Sequence, residues 1–153
     1  MTVVHEHARV PALDGAALAR LARALDREGV VAARLIGSQA RGTGGPLSDI
    51  DIAFWHEPAL DTSSRLKLRL DLTRDAGRAL GTDEIDVIPL NHASPLLRQR
   101  AIRDGRPLLE RDAKTRVRLE ARAIVEYLDT IPLRAELARG QRKRLHEGRF
   151  GRR

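Results

Sequence analysis

The sequence predicts an α/β (α+β) protein, a small mixed β-sheet flanked by helices, and three observations lead there. Residues 30–36, 49–55 and 84–89 are short segments that run apolar or alternate with period two, as strands do. Between and after them lie longer segments with apolar residues three and four apart, the spacing of amphipathic helices. Glycine or proline stands near most of the junctions, at Gly29, Gly37, Gly81, Gly105 and Pro132.

In chain order, residues 1–12 read as a loose extension. Asp14 to Gly29 follows as an amphipathic helix, with Asp14 as N-cap and Gly29 as terminator. Val30–Ile36, apolar apart from Arg34, is the first strand; it ends in Gly37-Ser38, where Gln39-Ala40-Arg41 begins a short helical turn with Ser38 as its N-cap. Gly42-Thr43-Gly44-Gly45-Pro46 is a flexible loop that returns the chain to the strand at 49–55, and Ser48 is a turn residue at its end. A helix from Ser63 to Leu80 closes at Gly81, and the strand at 84–89 precedes a helix from Ser94 to Arg103 that Gly105 ends. Pro107–Glu110 adds a short edge strand, Asp112–Asp129 a long helix, and a short helix and basic tail follow Pro132. The organisation expected is a flexible extension at 1–12, one domain at 13–138 and a basic tail at 139–153, with no internal repeat and no room for a separate substrate-binding domain.

Composition narrows the classes of function. A chain of 153 residues with 42% hydrophobic residues can build one core, and with 3% aromatics that core is made of Leu, Ile, Val and Ala. The absence of cysteine excludes disulfides, thiol catalysis and Cys-zinc sites. No apolar run reaches the ~18–20 residues a membrane span needs, and the first residues lack a signal-peptide core, so the expectation is a cytoplasmic protein with no membrane contact. The net charge is +7, concentrated at Arg134 to Arg153, while the middle of the chain mixes signs. With one Trp, one Tyr and two Phe there is little to stack bases on. The basic segment therefore reads as a solvated face or partner contact rather than a direct nucleic-acid site.

The chemistry is concentrated in Gly37-Ser38 and, after ten intervening residues, Asp49-Ile50-Asp51. Ile50, Ile52 and Phe54 alternate with Asp49, Asp51 and Ala53, so the two carboxylates project from one side of a strand, about 6–7 Å apart. Like charges held so close call for a cation, and a hard divalent ion such as Mg2+ binds through one or two carboxylates plus substrate phosphates. Gly37-Ser38, at the end of a strand and the start of a helical turn, offers backbone N–H groups and a hydroxyl to a triphosphate, which the missing side chain of Gly37 lets approach. Arg41 is a candidate for the same phosphates. A third carboxylate comes from Asp83-Glu84-Ile85-Asp86-Val87-Ile88-Pro89, which alternates in the same way. Pairing of that strand beside the first would bring Asp86 near Asp49 and Asp51. Three carboxylates can hold two metals, one activating an attacking hydroxyl and one neutralising the triphosphate and its leaving group. Asp-x-Asp alone is common on solvated strand faces; its spacing from Gly37-Ser38 and the later Asp86 set this one apart. His5, His7, His56, His92 and His146 show no ligand spacing near the acidic motif, and His5-x-His7 is an isolated pair.

Gly37-Ser38-x10-Asp49-x-Asp51 with Asp86 resembles the nucleotidyltransferase superfamily whose best-known member is DNA polymerase beta. More narrowly, Gly37-Ser-Gln-Ala-Arg-Gly42 followed by Ser48-Asp-Ile-Asp51 is similar to the minimal nucleotidyltransferases, the antitoxin partners of HEPN-domain ribonuclease toxins. The likeness continues through Asp86–Asn91, Ser94–Arg98, Gly105–Glu110 and Tyr127–Asp129 with Pro132, roughly residues 15 to 138. It implies a polymerase-beta-like fold, with Asp49, Asp51 and Asp86 holding Mg2+ and Gly37, Ser38 and Arg41 holding the nucleotide. It also implies transfer of AMP from ATP to a tyrosine of a HEPN toxin. Two other readings share the core motif: a small-molecule enzyme of the antibiotic-modifying type, and an antitoxin that acts by binding alone. Arg139-x6-His146 formally fits the loose Arg-x4-6-His pattern of HEPN ribonucleases, but a tail does not supply the helical bundle such an enzyme needs. Tyr127, in the long helix, reads as a packing residue.

Overall fold

The computed structural model describes residues 12–45 and 48–146. In chain order the elements are α1 (Gly15–Leu25), β1 (Val30–Ile36), α2 (Gly37–Ala40), β2 (Ile50–His56), α3 (Thr62–Leu80), β3 (Ile85–Pro89), α4 (Pro95–Asp104), β4 (Arg106–Glu110), α5 (Ala113–Asp129) and α6 (Ile131–His146). The strands form one sheet in the order β3-β2-β1-β4. β1 is antiparallel to both β2 and β4, while β2 and β3 are parallel and joined by α3, so the sheet is mixed as expected.

Capping by short polar side chains sets most helix starts. Asp14, Asp61, Ser94 and Asp112 each accept a hydrogen bond from the backbone N–H three residues on, at 2.7, 2.8, 3.3 and 2.9 Å. Gly81, at φ +69°, ends α3 in the left-handed conformation that glycine adopts without cost.

The sheet is covered on both faces. Leu21, Leu25, Ile50, Ile52, Phe54 and Leu72 form a core with α1 and α3 on one side, and Val31, Ala53, Trp55, Leu90, Ala101 and Ala123 form a second with α4 and α5 on the other. Trp55 and Phe54, adjacent in sequence, are thus both 1% exposed on opposite faces. The expected alternation of apolar and polar sides therefore holds only at the start of β2, because helices cover the rest of the second face.

Several boundaries differ from the sequence expectation. α1 ends at Leu25 with Asp26 as C-cap, and Gly29, at φ +87°, instead turns the chain into β1. β2 runs through His56 because the Asn91 side chain imitates a neighbouring strand: the His56 N–H donates to Asn91 Oδ1 and Asn91 Nδ2 donates to the His56 carbonyl, both at 3.0 Å. The turn of α2 begins at Gly37, so Ile36 occupies the cap position and makes no side-chain bond; Ser38 is not the N-cap, lying inside the turn it was expected to precede. Pro132 sits in the first turn of α6, where its missing N–H costs nothing, so the helix starts before it and reaches His146 instead of giving way to a short helix and tail. α6 is held to α5 by Arg134, whose guanidinium lies 4.2 Å from the Tyr127 ring centre and donates to the Tyr127 hydroxyl at 3.2 Å. The expected extension, apart from Ala12, and the end of the basic tail lie outside the described residues, as do Pro46, His5 and His7. No helix among the described residues is long and apolar enough to cross a membrane.

Candidate active site

The register of two strand pairs assembles the site. Asp51, second residue of β2, is level with Ile36 on β1, immediately before Gly37, and with Asp86 on β3. The phosphate-loop glycine and the third carboxylate therefore flank Asp51 on opposite sides. This is the juxtaposition the sequence anticipates for Asp86. Gly37 has φ +73°, and a Cβ there would collide with Asp51 Oδ2. The glycine is thus required twice, by its backbone conformation and by the carboxylate against it.

The electrostatics are those of crowded like charges. The Asp51 carboxyl is raised above its ordinary value of 3.8, first by partial burial and then by the negative charges of Asp86 and Asp49. Asp49 is exposed at the mouth of the strand. Asp86 is half-exposed on β3, an edge strand, and Arg69 of α3 lies 3.5 Å from its Oδ1. Arg69 is itself steadied by donating Nε–H to the Val87 carbonyl at 2.8 Å. Among the described residues no three acidic or imidazole groups converge closely enough to enclose a metal ion in this conformation. The chemistry of the donor set nonetheless suits a hard divalent cation: oxygen ligands only, mutually repelling, with Asp51 destabilised as an anion until a positive charge approaches.

The loop from α2 to β2 is tied back on itself. Thr43 and Gly44 donate their N–H groups to the Ser38 carbonyl at 3.0 and 3.1 Å, Gly45 N–H donates to Ser48 Oγ at 3.0 Å, and Gln39 Nε2 reaches the Ser48 carbonyl at 3.3 Å. Ser48 is thus a turn residue, as its sequence context suggests. Among the described residues no side chain caps α2, so its first N–H groups can serve an anion.

Beside Asp51 and Gly37 opens a cleft of about 260 Å³ between the sheet and α4, walled by Ile36, Ile88 and Leu97 and edged by Arg41, Arg100 and Asp104. Arg41 therefore lies where a nucleotide residue is expected. Arg69, Arg100 and Asp104 escape the sequence reading. Each is one charged residue in a helix rich in them, and no local spacing links it to the motif.

One carboxylate just before β2, a second within it, a third level with it on the parallel neighbour β3 and a glycine-led turn against them form a candidate nucleotidyl-transfer site. The family model for "Polymerase beta, Nucleotidyltransferase" matches residues 20–114, and the chain belongs to that family. No curated protein sequence matches the chain significantly. Among solved structures, a protein from Shewanella oneidensis aligns over 83% of this chain and 98% of its own, with 22% identity and a TM-score of 0.57. A chain of a mutant MntA-HpeT toxin-antitoxin complex aligns over 84% of this chain and 92% of its own, with 23% identity and a TM-score of 0.52. Both share its fold.

Proposed function

We propose that this nucleotidyltransferase transfers a nucleoside monophosphate, AMP from ATP, to a hydroxyl of a HEPN-domain toxin, a tyrosine in the form the family resemblance implies. The observation that carries the reading is the register that sets Asp86 and Gly37 on either side of Asp51. On this reading the site has a phosphate side at Gly37 and an acceptor side at Asp86.

On the phosphate side, the uncapped N–H groups of α2, the Ser38 hydroxyl and Arg41 bind the triphosphate and orient its α-phosphorus over Asp51. On the other side the acceptor hydroxyl approaches Asp86, which takes its proton as the oxygen attacks; pyrophosphate leaves in line, toward Gly37. Asp49, Asp51 and Asp86 would hold Mg2+, two ions in the full set, which when bound neutralises the developing charge on the phosphates. Asp86 is on an edge strand and half-exposed, so a hydroxyl presented on the surface of another protein can reach it. This openness favours a protein acceptor over a small molecule, which would need walls on that side. The end of α6, with Arg142, Lys143 and Arg144, supplies charge that steers an acidic partner and weakens with salt.

Co-expression with a HEPN-domain toxin tests the reading. Intact-mass spectrometry should show the toxin heavier by one or more nucleoside monophosphates with the wild-type protein, and unmodified with Asp86→Asn. A toxin that is silenced yet unmodified by the wild-type protein would overturn transfer in favour of neutralisation by binding alone.

A further inference from the structure

The cleft beside Asp51 contains two cations that the fold does not use. Arg41, at the end of α2, and Arg100, on α4, both line it, both exposed and both close enough to Asp104 for their charges to act on its carboxyl. Asp104 does not pair with either. It is engaged by Arg103 through two bonds of 2.7 Å, Nε to Oδ1 and Nη2 to Oδ2. Among the described residues neither Arg41 nor Arg100 has an ion-pair partner, as is true of several other exposed arginines; what sets these two apart is that both line the cleft that Gly37 and Asp51 also line. Two unpaired guanidinium groups lining one narrow cleft repel each other unless an anion lies between them.

The place of α4 decides which part of a nucleotide that anion is. The carbonyl of Gly105, at the end of α4, accepts a bond from Arg34 of β1 at 3.4 Å, and a Cβ on Gly105 would meet Arg34 Cβ at 3.3 Å. The last turn of α4 therefore lies over β1, and the cleft it borders, although it reaches Ile88 of β3, includes Gly37 and so takes in the Gly37 side of Asp51. That is the side on which the leaving group departs.

We propose that Arg100 is a second phosphate-binding residue, which with Arg41 clamps the β- and γ-phosphates of the nucleoside triphosphate and then the pyrophosphate product. The guanidinium forks donate to phosphate oxygens from the lining of the same cleft. Arg103 engages Asp104 through two bonds, so that of the two carboxylates in the cleft, Asp51 and Asp104, the one nearer the guanidinium groups already has a partner. The proposal rests on the nucleotidyltransferase reading of the Gly37–Asp51 site and adds a residue that no local motif marks.

Calorimetric titration of wild-type protein, Arg100→Ala and Arg100→Lys with ATP, pyrophosphate and AMP, each with Mg2+, tests it. Arg100→Ala should weaken ATP and pyrophosphate about tenfold, the scale of one charge-assisted contact, and leave AMP unchanged. Its ATP affinity should also fall less steeply with added salt. Arg100→Lys should keep part of the affinity. Because Arg100 is exposed, thermal unfolding of the variants should match wild type, which excludes a folding defect. Wild-type affinities for ATP and pyrophosphate in Arg100→Ala, or a loss for AMP equal to that for ATP, would overturn the clamp and leave the transfer site standing. A wild-type protein that binds no ATP would remove both.

Discussion

One face of the sheet carries two groups of charges that are arranged in opposite ways. Arg34 on β1 is level with Ala53 on β2, two residues along from Asp51, so both side chains emerge toward α4 and α5. Arg34 meets Glu120 of α5 at 2.8 Å with both side chains largely buried, and Glu120 also receives Arg116 at 2.6 Å. A second pair, Arg98 with Glu126, joins α4 to α5 nearby. At the start of β2, in contrast, Asp49, Asp51 and Asp86 are neighbours of the same sign. Charges that are paired and covered by α5 hold the helix on the sheet; charges left alike and open are free to act on something brought from outside. The difference lies in which partner the fold supplies, since both groups start from charged residues on the strands of one sheet.

Substitutions that separate the two groups should separate stability from transfer. The largest effect is expected at the acidic cluster. The double variant Asp49→Asn, Asp51→Asn should lose transfer by roughly 100- to 1,000-fold or more, as preorganised charge at a reacting centre is worth. Its metal-free thermal stability should be equal to wild type or slightly higher, because repulsion is relieved. Retained transfer by correctly folded double variant, checked by circular dichroism, would dissolve the contrast. Next, Glu120→Ala leaves Arg34 buried without its partner and should cost about 3–5 kcal/mol in chemical denaturation, while the folded fraction keeps its rate of transfer. The joint replacement Arg34→Met, Glu120→Leu should recover much of that loss, since apolar side chains of similar size can stand in for a buried pair.

The smallest effect concerns pH. His56 is buried, and its imidazole is held below its ordinary value of 6.5 by that burial and by the nearby charges of Arg65 and His92, against the opposing bond to the Glu57 carbonyl. The unfolded chain takes up a proton near 6.5, and the folded protein only at lower pH. Stability is therefore lost as pH falls from 6.5 toward the folded value, and His56→Gln should flatten that part of the melting-temperature profile. An unchanged slope in the variant would show that His56 does not carry it.

How far the site could be read beforehand depended on distance along the chain. Gly37, Ser38, Asp49 and Asp51 fall within fifteen residues, and strand alternation alone puts the two carboxylates on one side. Asp86 was legible because its own segment alternates and one pairing would suffice. Arg69 and Arg100 were not, because a charged residue on a solvated helix face looks the same whether or not it overhangs a cleft. The N-cap at Asp14 was legible as local chemistry, whereas the start of α2 depended on the left-handed Gly37, and the extra residue of β2 on Asn91, thirty-five positions away.

The sequence by itself determined the elements and the acidic motif, because helix period, strand period, caps and the Gly37-Ser38 to Asp49-x-Asp51 spacing are properties of neighbouring residues. Only the tertiary structure decided that Asp51 is level with Asp86, that helices cover both faces and bury Trp55, that Arg34 finds Glu120, and that Arg100 lines the cleft beside Gly37 and Asp51. Register across a parallel pair joined by α3, and the seating of α4 and α5 on the sheet, are settled by packing among residues far apart in the chain, where no local pattern reaches.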